Sequence, residues 1–291
     1  MRWVTSASTV TKKWGVGLYK HNLGECKSCY AYFINSWEEY ELKLTKDQIY
    51  AIMNNEDYPL SLKYDPDWII ENSMGSHCLW LQESLTHVMH LTPNIRILDM
   101  GCGKAISSIF LAKEFEAQVW ATDLWNSASD NWKRICEMDV ENKVYPIHAD
   151  ATDLPYADEF FDSMVSVNSI FFYATEESFL KKHLIRHIKP GGEIGIILPG
   201  FINEYCKGIP EELKPYWCEE LNNWHSLDWW VNHLNNSGMI DIIKADTLPN
   251  GEGNMIYKKS AMIFNAHEEP FNLLASENIT FMRIIAKRKM D

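Results

Sequence analysis

Short apolar runs alternate with stretches of helical spacing from residue 95 to residue 201. The runs IRIL, VWATD, VYPIHAD, FFDSMVSV and GEIGIIL are each followed by Gly, Asp, Asn or Pro, the punctuation that closes a strand. Between most of them lie helix-length segments such as AISSIFLAKEF and SDNWKRICEMDV. Five strand and helix units in series predict an α/β fold built on a doubly wound, mostly parallel sheet with helices on both faces. Upstream, HCLWLQESLTHVMHL spaces Leu81, Leu85, Val88 and Met89 as a helix does. Downstream, SLDWWVNHLNNSG reads as a helix capped by Ser226 and closed by Gly238, and IDIIKAD and ITFMRIIAKRK read as two last strands.

Before Asp65-Pro66 this pattern is lost. Residues 1–65 mix aromatics, glycine and charge, with one clear helix, TKDQIYAIMNNE, where Thr45 is placed as N-cap and Gln48 completes a capping box. They read as an N-terminal extension or lid on a main domain of residues 66–291. An insert around residues 201–227 is expected to join that extension in forming a substrate pocket above the strand ends.

Composition narrows the partners. The 291 residues are 46% apolar and 23% charged, enough for a sizeable core. The formal net charge is −13, and the longest basic run is Lys287 to Lys289. Nucleic-acid affinity rests on Lys and Arg neutralising phosphates, so no nucleic-acid partner is expected and a small or cationic ligand suits the chain better. Met1 to Trp14 lacks the apolar segment of a signal peptide, and no run approaches the roughly 18 apolar residues of a membrane span. The expectation is a cytoplasmic protein with no membrane partner. Seven cysteines then read as thiols. Cys26 and Cys29, with His21 upstream, lack the second pair that a structural zinc site requires, so no metal is expected.

The candidate chemistry sits at the strand ends, where open α/β sheets bind their ligands. Asp99, Asp123 and Asp150 close the first three strands, and Gly101 and Gly103 follow Asp99 in DMGCGKAI. Those glycines allow a sharp turn and a close backbone approach. A dinucleotide site would need a third glycine at the position of Ile106, and a pyrophosphate would be repelled by Asp99. A cation would be attracted.

RILDMGCGKA, VWATDLW, HADATDLPYADEFFDSMVSVNSIFFY and IKPGGEIGIILPG, in this order and spacing, resemble the signature stretches of class I, Rossmann-like S-adenosylmethionine-dependent methyltransferases. The likeness runs from about Met74 to Gly200 and departs where Ala105 stands in place of a frequent third glycine. It implies a seven-stranded sheet, S-adenosyl-L-methionine as cofactor and S-adenosyl-L-homocysteine as product. It also implies that Asp99 and the turn of Gly101, Cys102 and Gly103 hold the amino-acid end of the cofactor, directly or through water. Asp123 would accept from both ribose hydroxyls, Leu124 would pack on the adenine, Asp150 would accept from the adenine amine, and the Ala151 amide would donate to the ring. Asn168 would line the methyl-transfer face, and KPGGEI would be the turn before the fifth strand.

The acceptor is open. A small molecule bearing an amine, thiol or hydroxyl is expected, with in-line transfer; a hydroxyl or carbon acceptor needs a general base, for which Tyr173 and His225 are the candidates. Trp217, Trp224, Trp229 and Trp230 are either a cation-binding wall or core packing. Oligomeric state is not legible. Two other functions fit the same residues: a nicotinamide-dependent reductase on the same fold, and a cofactor-binding module without catalysis.

Overall fold

The structure, a computed structural model, describes residues 44–205, 208, 209, 211, 214, 217, 219–264 and 278–290. All described residues belong to one compact unit within Leu42–Asp291. His21, Cys26 and Cys29 lie outside the described residues, as does part of the 201–227 insert. Among the described residues no helix is long and apolar enough to cross a membrane.

The centre is a seven-stranded sheet made of β1 (Arg96–Met100), β2 (Gln118–Asp123), β3 (Val144–His148), β4 (Phe161–Val167), β5 (Ile188–Phe201), β6 (Ile240–Thr247) and β7 (Ile279–Arg288). Their order is β3-β2-β1-β4-β5-β7-β6. The first five strands pair in parallel, and β7 enters antiparallel between β5 and β6. Strand order reverses between β1 and β4. That reversal leaves a crevice at the carboxyl edge, bounded by the turns that leave those two strands.

The central strands are buried on both faces, so their residues are apolar in runs and do not alternate. Helices α1 (Lys46–Met53), α2 (Pro66–Asn72), α3 (Cys78–Thr86), α4 (Ile106–Phe115), α5 (Ala128–Glu137), α6 (Leu227–Asn236) and α7 (Glu252–Ile263) complete the fold. The Thr45 capping box forms at α1 as expected, and Ser226 caps α6. Helix α3 stops at Thr86, short of Val88 and Met89, and is buried on all sides from Leu79 to Thr86. Its central position explains why its sequence shows so weak a polar face.

Residues 44–64 pack on this core through Ile49, Met53, Tyr58 and Tyr64. The fully buried Glu83 of α3 ties them down: Oε1 accepts from Leu60 N at 2.9 Å, and Oε2 from Ser61 N at 2.8 Å and Ser61 Oγ at 2.7 Å.

Two local expectations are corrected. No helix lies between β3 and β4, and short 3-10 and π turns replace a regular α-helix between β4 and β5. KPGGEI is no turn ahead of a strand: β5 begins at Ile188, and residues 189–192 form a bulge opposite Asp162, between the pairs Phe161 with Ile188 and Ser163 with Glu193. Gly191 holds φ +74° there, and a Cβ on Gly192 would press on backbone oxygens of Lys189 and Asp162 at 2.8 and 2.9 Å. Both glycines therefore serve the bulge.

Candidate active site

Asp99 lies near the end of β1 and is fully buried. Its Oδ2 accepts from Ser107 Oγ at 2.5 Å and Ser108 Oγ at 2.6 Å, both in the first turn of α4. Its Oδ1 is buried and has no partner among the described residues. Burial pushes the carboxyl up to about 6, against the downward pull of the two serine bonds. A buried carboxylate oxygen without a partner is costly unless something completes it.

The turn after β1 is made by three left-handed residues, Gly101 at φ +72°, Gly103 at +56° and Ala105 at +62°. Gly101 lacks a side chain for the sake of the protein itself: a Cβ there would meet Ser169 Oγ at 2.5 Å and Ser169 Cβ at 2.6 Å. Ser169 stands in the turn that leaves β4 and donates to Met100 O at 2.8 Å, so this glycine locks the two sides of the crevice together. Gly103 faces the Met74 sulfur, which a Cβ would approach to 3.2 Å. Ala105 keeps the backbone of a third glycine, and its methyl is fully buried in the core. Cys102 is buried, with its thiol pushed well above the usual range by burial, so it is an inert small residue.

Asp123 closes β2 and organises the next loop. Its Oδ1 accepts from Trp125 N (2.8 Å), Asn126 N (2.7 Å) and Asn126 Nδ2 (3.0 Å), and its Oδ2 accepts from Gly103 N at 2.9 Å. Oδ2, with one bond, keeps acceptor capacity for a ligand. Leu124 and Trp125 are each 48% exposed at this edge, an apolar surface beside Asp123. Asp150 is exposed beyond the end of β3; its Oδ1 accepts from Thr152 N and Oγ1, which hold its carboxyl below the usual range, while Oδ2 is unbonded among the described residues. Ala151 is buried beside it.

Asn168, at the end of β4, is left-handed at φ 55° and donates its amide to Ile197 O at 2.8 Å. Gly75 lies across from its side chain, so Met74 and Gly75 reach from Gly103 on one wall of the crevice to Asn168 on the other. Asn126 Nδ2 also meets Met74 Sδ at 3.5 Å.

The two base candidates lie in different settings. Tyr173 is tied under the glycine turn, its hydroxyl 3.2 Å from Met100 O, 3.1 Å from Ser166 Oγ and 3.3 Å from Ser169 Oγ. Burial raises its pKa, so it stays protonated and acts as a brace. His225 sits over the end of β5, with Nδ1 2.8 Å from Glu204 Oε1. The tryptophans divide: Trp224 and Trp230 are core, whereas Trp217 stacks on Phe201 and Trp229 stacks between His225 and His233. They form no shared open wall, which corrects the cation-binding alternative.

Sequence reasoning missed Ser107, Ser108, Asn126, Ser169 and Glu204. The serine pair inside the apolar run AISSIFLA was a usable signal, because polar groups in a buried helix need partners. Among the described residues no group of three His, Cys, Asp or Glu side chains is placed to hold a metal.

Residues 97–192 match the family model of a methyltransferase domain. The chain is 29% identical over 164 residues to phosphoethanolamine N-methyltransferase 1 of Zea mays, a match covering 54% of this chain and 30% of that protein. It is 27% identical over 175 residues to erythromycin 3''-O-methyltransferase of Saccharopolyspora erythraea, covering 56% of each. It thus spans about a third to a half of the length of these curated relatives. In structure it resembles phosphoethanolamine N-methyltransferase 2 of Haemonchus contortus, solved in complex with S-adenosyl-L-methionine, with a TM-score of 0.61 and 16% identity over 86% of this chain and 62% of that one. Residues 97–192 thus match a methyltransferase domain, and the sheet order and glycine turn around them are those of the class I, Rossmann-like S-adenosylmethionine-dependent methyltransferase fold.

Proposed function

We propose that this protein binds S-adenosyl-L-methionine at the crevice between β1 and β4 and transfers its methyl group to a small-molecule acceptor. The observation that carries the reading is the buried, unpartnered Oδ1 of Asp99 beside the glycine turn. A cationic amino-acid tail, reached through water, would complete it. Asp123 Oδ2 would accept from the ribose, Leu124 would cover the adenine, Asp150 Oδ2 would take the exocyclic amine, and the Ala151 amide would meet the ring. Asn168 and the Met74–Gly75 segment would line the sulfur end.

The donor supplies an activated methyl on a good leaving group. The chain's part is then to orient the acceptor in line and to exclude water. Relatives that act on nitrogen and on oxygen match it about equally, so family likeness does not select the acceptor atom. The acidic balance argues against a nucleic-acid acceptor.

Calorimetry with S-adenosyl-L-homocysteine and with NADH tests the reading. Saturable binding of the first and none of the second is expected, followed by transfer of labelled methyl to a panel of small acceptors. Binding of NADH alone would reverse the assignment in favour of a reductase. Tight binding of S-adenosyl-L-homocysteine with no transfer to any acceptor class would favour a non-catalytic module.

A further inference from the structure

Glu204 and His225 form a pair at the carboxyl edge that the cofactor site does not use. The Glu204 carboxylate spans two donors: Oε1 lies 2.8 Å from His225 Nδ1, and Oε2 accepts from Ser226 N at 2.8 Å. The imidazole is clamped from one face by Trp229, ring centres 3.6 Å apart and planes 10° from parallel. Clamp and carboxylate together leave the ring one orientation. Glu204 is held below the usual carboxyl range, since its bonds to Ser226 N and His225 outweigh the upward push of burial. An ionised carboxylate only accepts, so the neutral imidazole carries its proton on Nδ1. Nε2 then presents a lone pair, has no partner among the described residues, and belongs to a side chain that keeps 19% exposure.

The pair stands at the carboxyl end of β5, which lies beside β4 in the sheet. His225 O accepts from Phe201 N, the last residue of β5, and a Cβ on Gly200 would collide with that same oxygen. Trp224 beside it packs edge-on to Phe171, Phe171 on Phe172, and Phe172 on Trp125, two residues beyond Asp123. The exposed members of this apolar rim are Trp125 and Phe172, near Asp123, and Ile202, next to Phe201, at 48%, 40% and 50%; Phe171 and Trp224 between them are buried.

We propose that His225 is the general base of this site, that Glu204 is its positioning residue, and that the acceptor is an uncharged, apolar molecule bearing a hydroxyl. This rests on the methyl-donor reading above. A thiol or neutral amine needs no base, whereas a hydroxyl is a poor nucleophile until its proton leaves, and the apolar rim suits an uncharged molecule. The acceptor hydroxyl gives its proton to His225 Nε2, its oxygen forms the new bond to the methyl carbon, and the carbon–sulfur bond breaks with its electron pair left on sulfur. The products are a methyl ether, S-adenosyl-L-homocysteine and an imidazolium that returns its proton to water.

The test uses the full chain with catechol, phenol and benzyl alcohol as hydroxyl probes and thiophenol as a thiol probe. His225→Gln is expected to slow hydroxyl methylation on the order of a hundredfold or more. The loss of thiophenol turnover should be at least about tenfold smaller than the loss on the hydroxyl probes, because a thiolate needs no base. Glu204→Gln keeps an acceptor for Ser226 N but turns an amide donor toward Nδ1. It is therefore expected to move the imidazole proton to Nε2, seen in the ring nitrogen shifts by NMR, and to lower kcat without changing KM for the methyl donor. An unaltered chain whose neutral His225 carries its proton on Nε2 overturns the proposal without any acceptor. So does equal hydroxyl methylation by the unaltered chain and His225→Gln. Failure to bind S-adenosyl-L-homocysteine at all sinks the methyl-donor reading instead.

Discussion

Asp99→Asn separates the price of a buried charge from its use. In the folded chain the Asp99 carboxyl is raised from 3.8 to about 6, chiefly by burial. At 1.36 kcal/mol per pK unit, ionising it costs the fold about 3 kcal/mol. Between the two values the folded chain binds more protons than the unfolded one, so stability falls as pH rises through that window and the full cost is present above about pH 6. Asparagine removes the titration. Its amide still accepts from Ser107 and Ser108 but places an unsatisfied donor where Oδ1 stood, a penalty that does not depend on pH. The informative quantity is thus the stability difference between Asp99→Asn and the unaltered chain, followed by urea unfolding at pH 4.5 and pH 8. It should move in favour of the variant by about 2 kcal/mol over that span, the part of the titration lying between pH 4.5 and 6. Affinity for S-adenosyl-L-methionine should weaken in the variant, and in the unaltered chain should decline by up to about tenfold per unit below pH 6 as Asp99 protonates. A pH-independent stability difference would refute the burial argument, and unchanged affinity would remove Asp99 from the cofactor's surroundings.

Three more substitutions probe the same frame. Gly101→Ala combines a left-handed backbone with a Cβ at 2.5–2.6 Å from Ser169, and should cost about 2–5 kcal/mol in urea unfolding; a loss under about 1 kcal/mol would mean that the β1 and β4 turns are not locked as described. Glu83→Ala strands two donors, Leu60 N and Ser61 Oγ, and leaves Ser61 N only Tyr58 O, so it should cost about 2 kcal/mol or more while hydrogen exchange speeds up in residues 44–64; unchanged exchange there would show that something else anchors the segment. Asp123→Ala should weaken S-adenosyl-L-homocysteine binding more than tenfold, and should also lower the melting temperature, since Gly103 N, Trp125 N and Asn126 N lose their acceptor; a melting change without an affinity change would assign Asp123 to the loop alone.

Periodicity and punctuation along the chain determined the parallel strands, the capped helices at Thr45 and Ser226, and the acids and glycines at the carboxyl edge. These are local consequences of apolar spacing and backbone freedom, and each is complete within about a dozen residues. The all-round burial of α3 and the bulge at residues 189–192 were hidden, because a buried helix and a bulged strand break the periodicities by which helices and strands are read. Tertiary structure alone decided what each side chain meets. It paired Asp99 with Ser107 and Ser108, filled the space beside Gly101 with Ser169, turned Tyr173 into a brace, and brought Glu204 to His225 across 21 positions of chain. Hydrogen bonds and close packing act over a few ångströms in space, and distance along the chain does not encode which residues come that near.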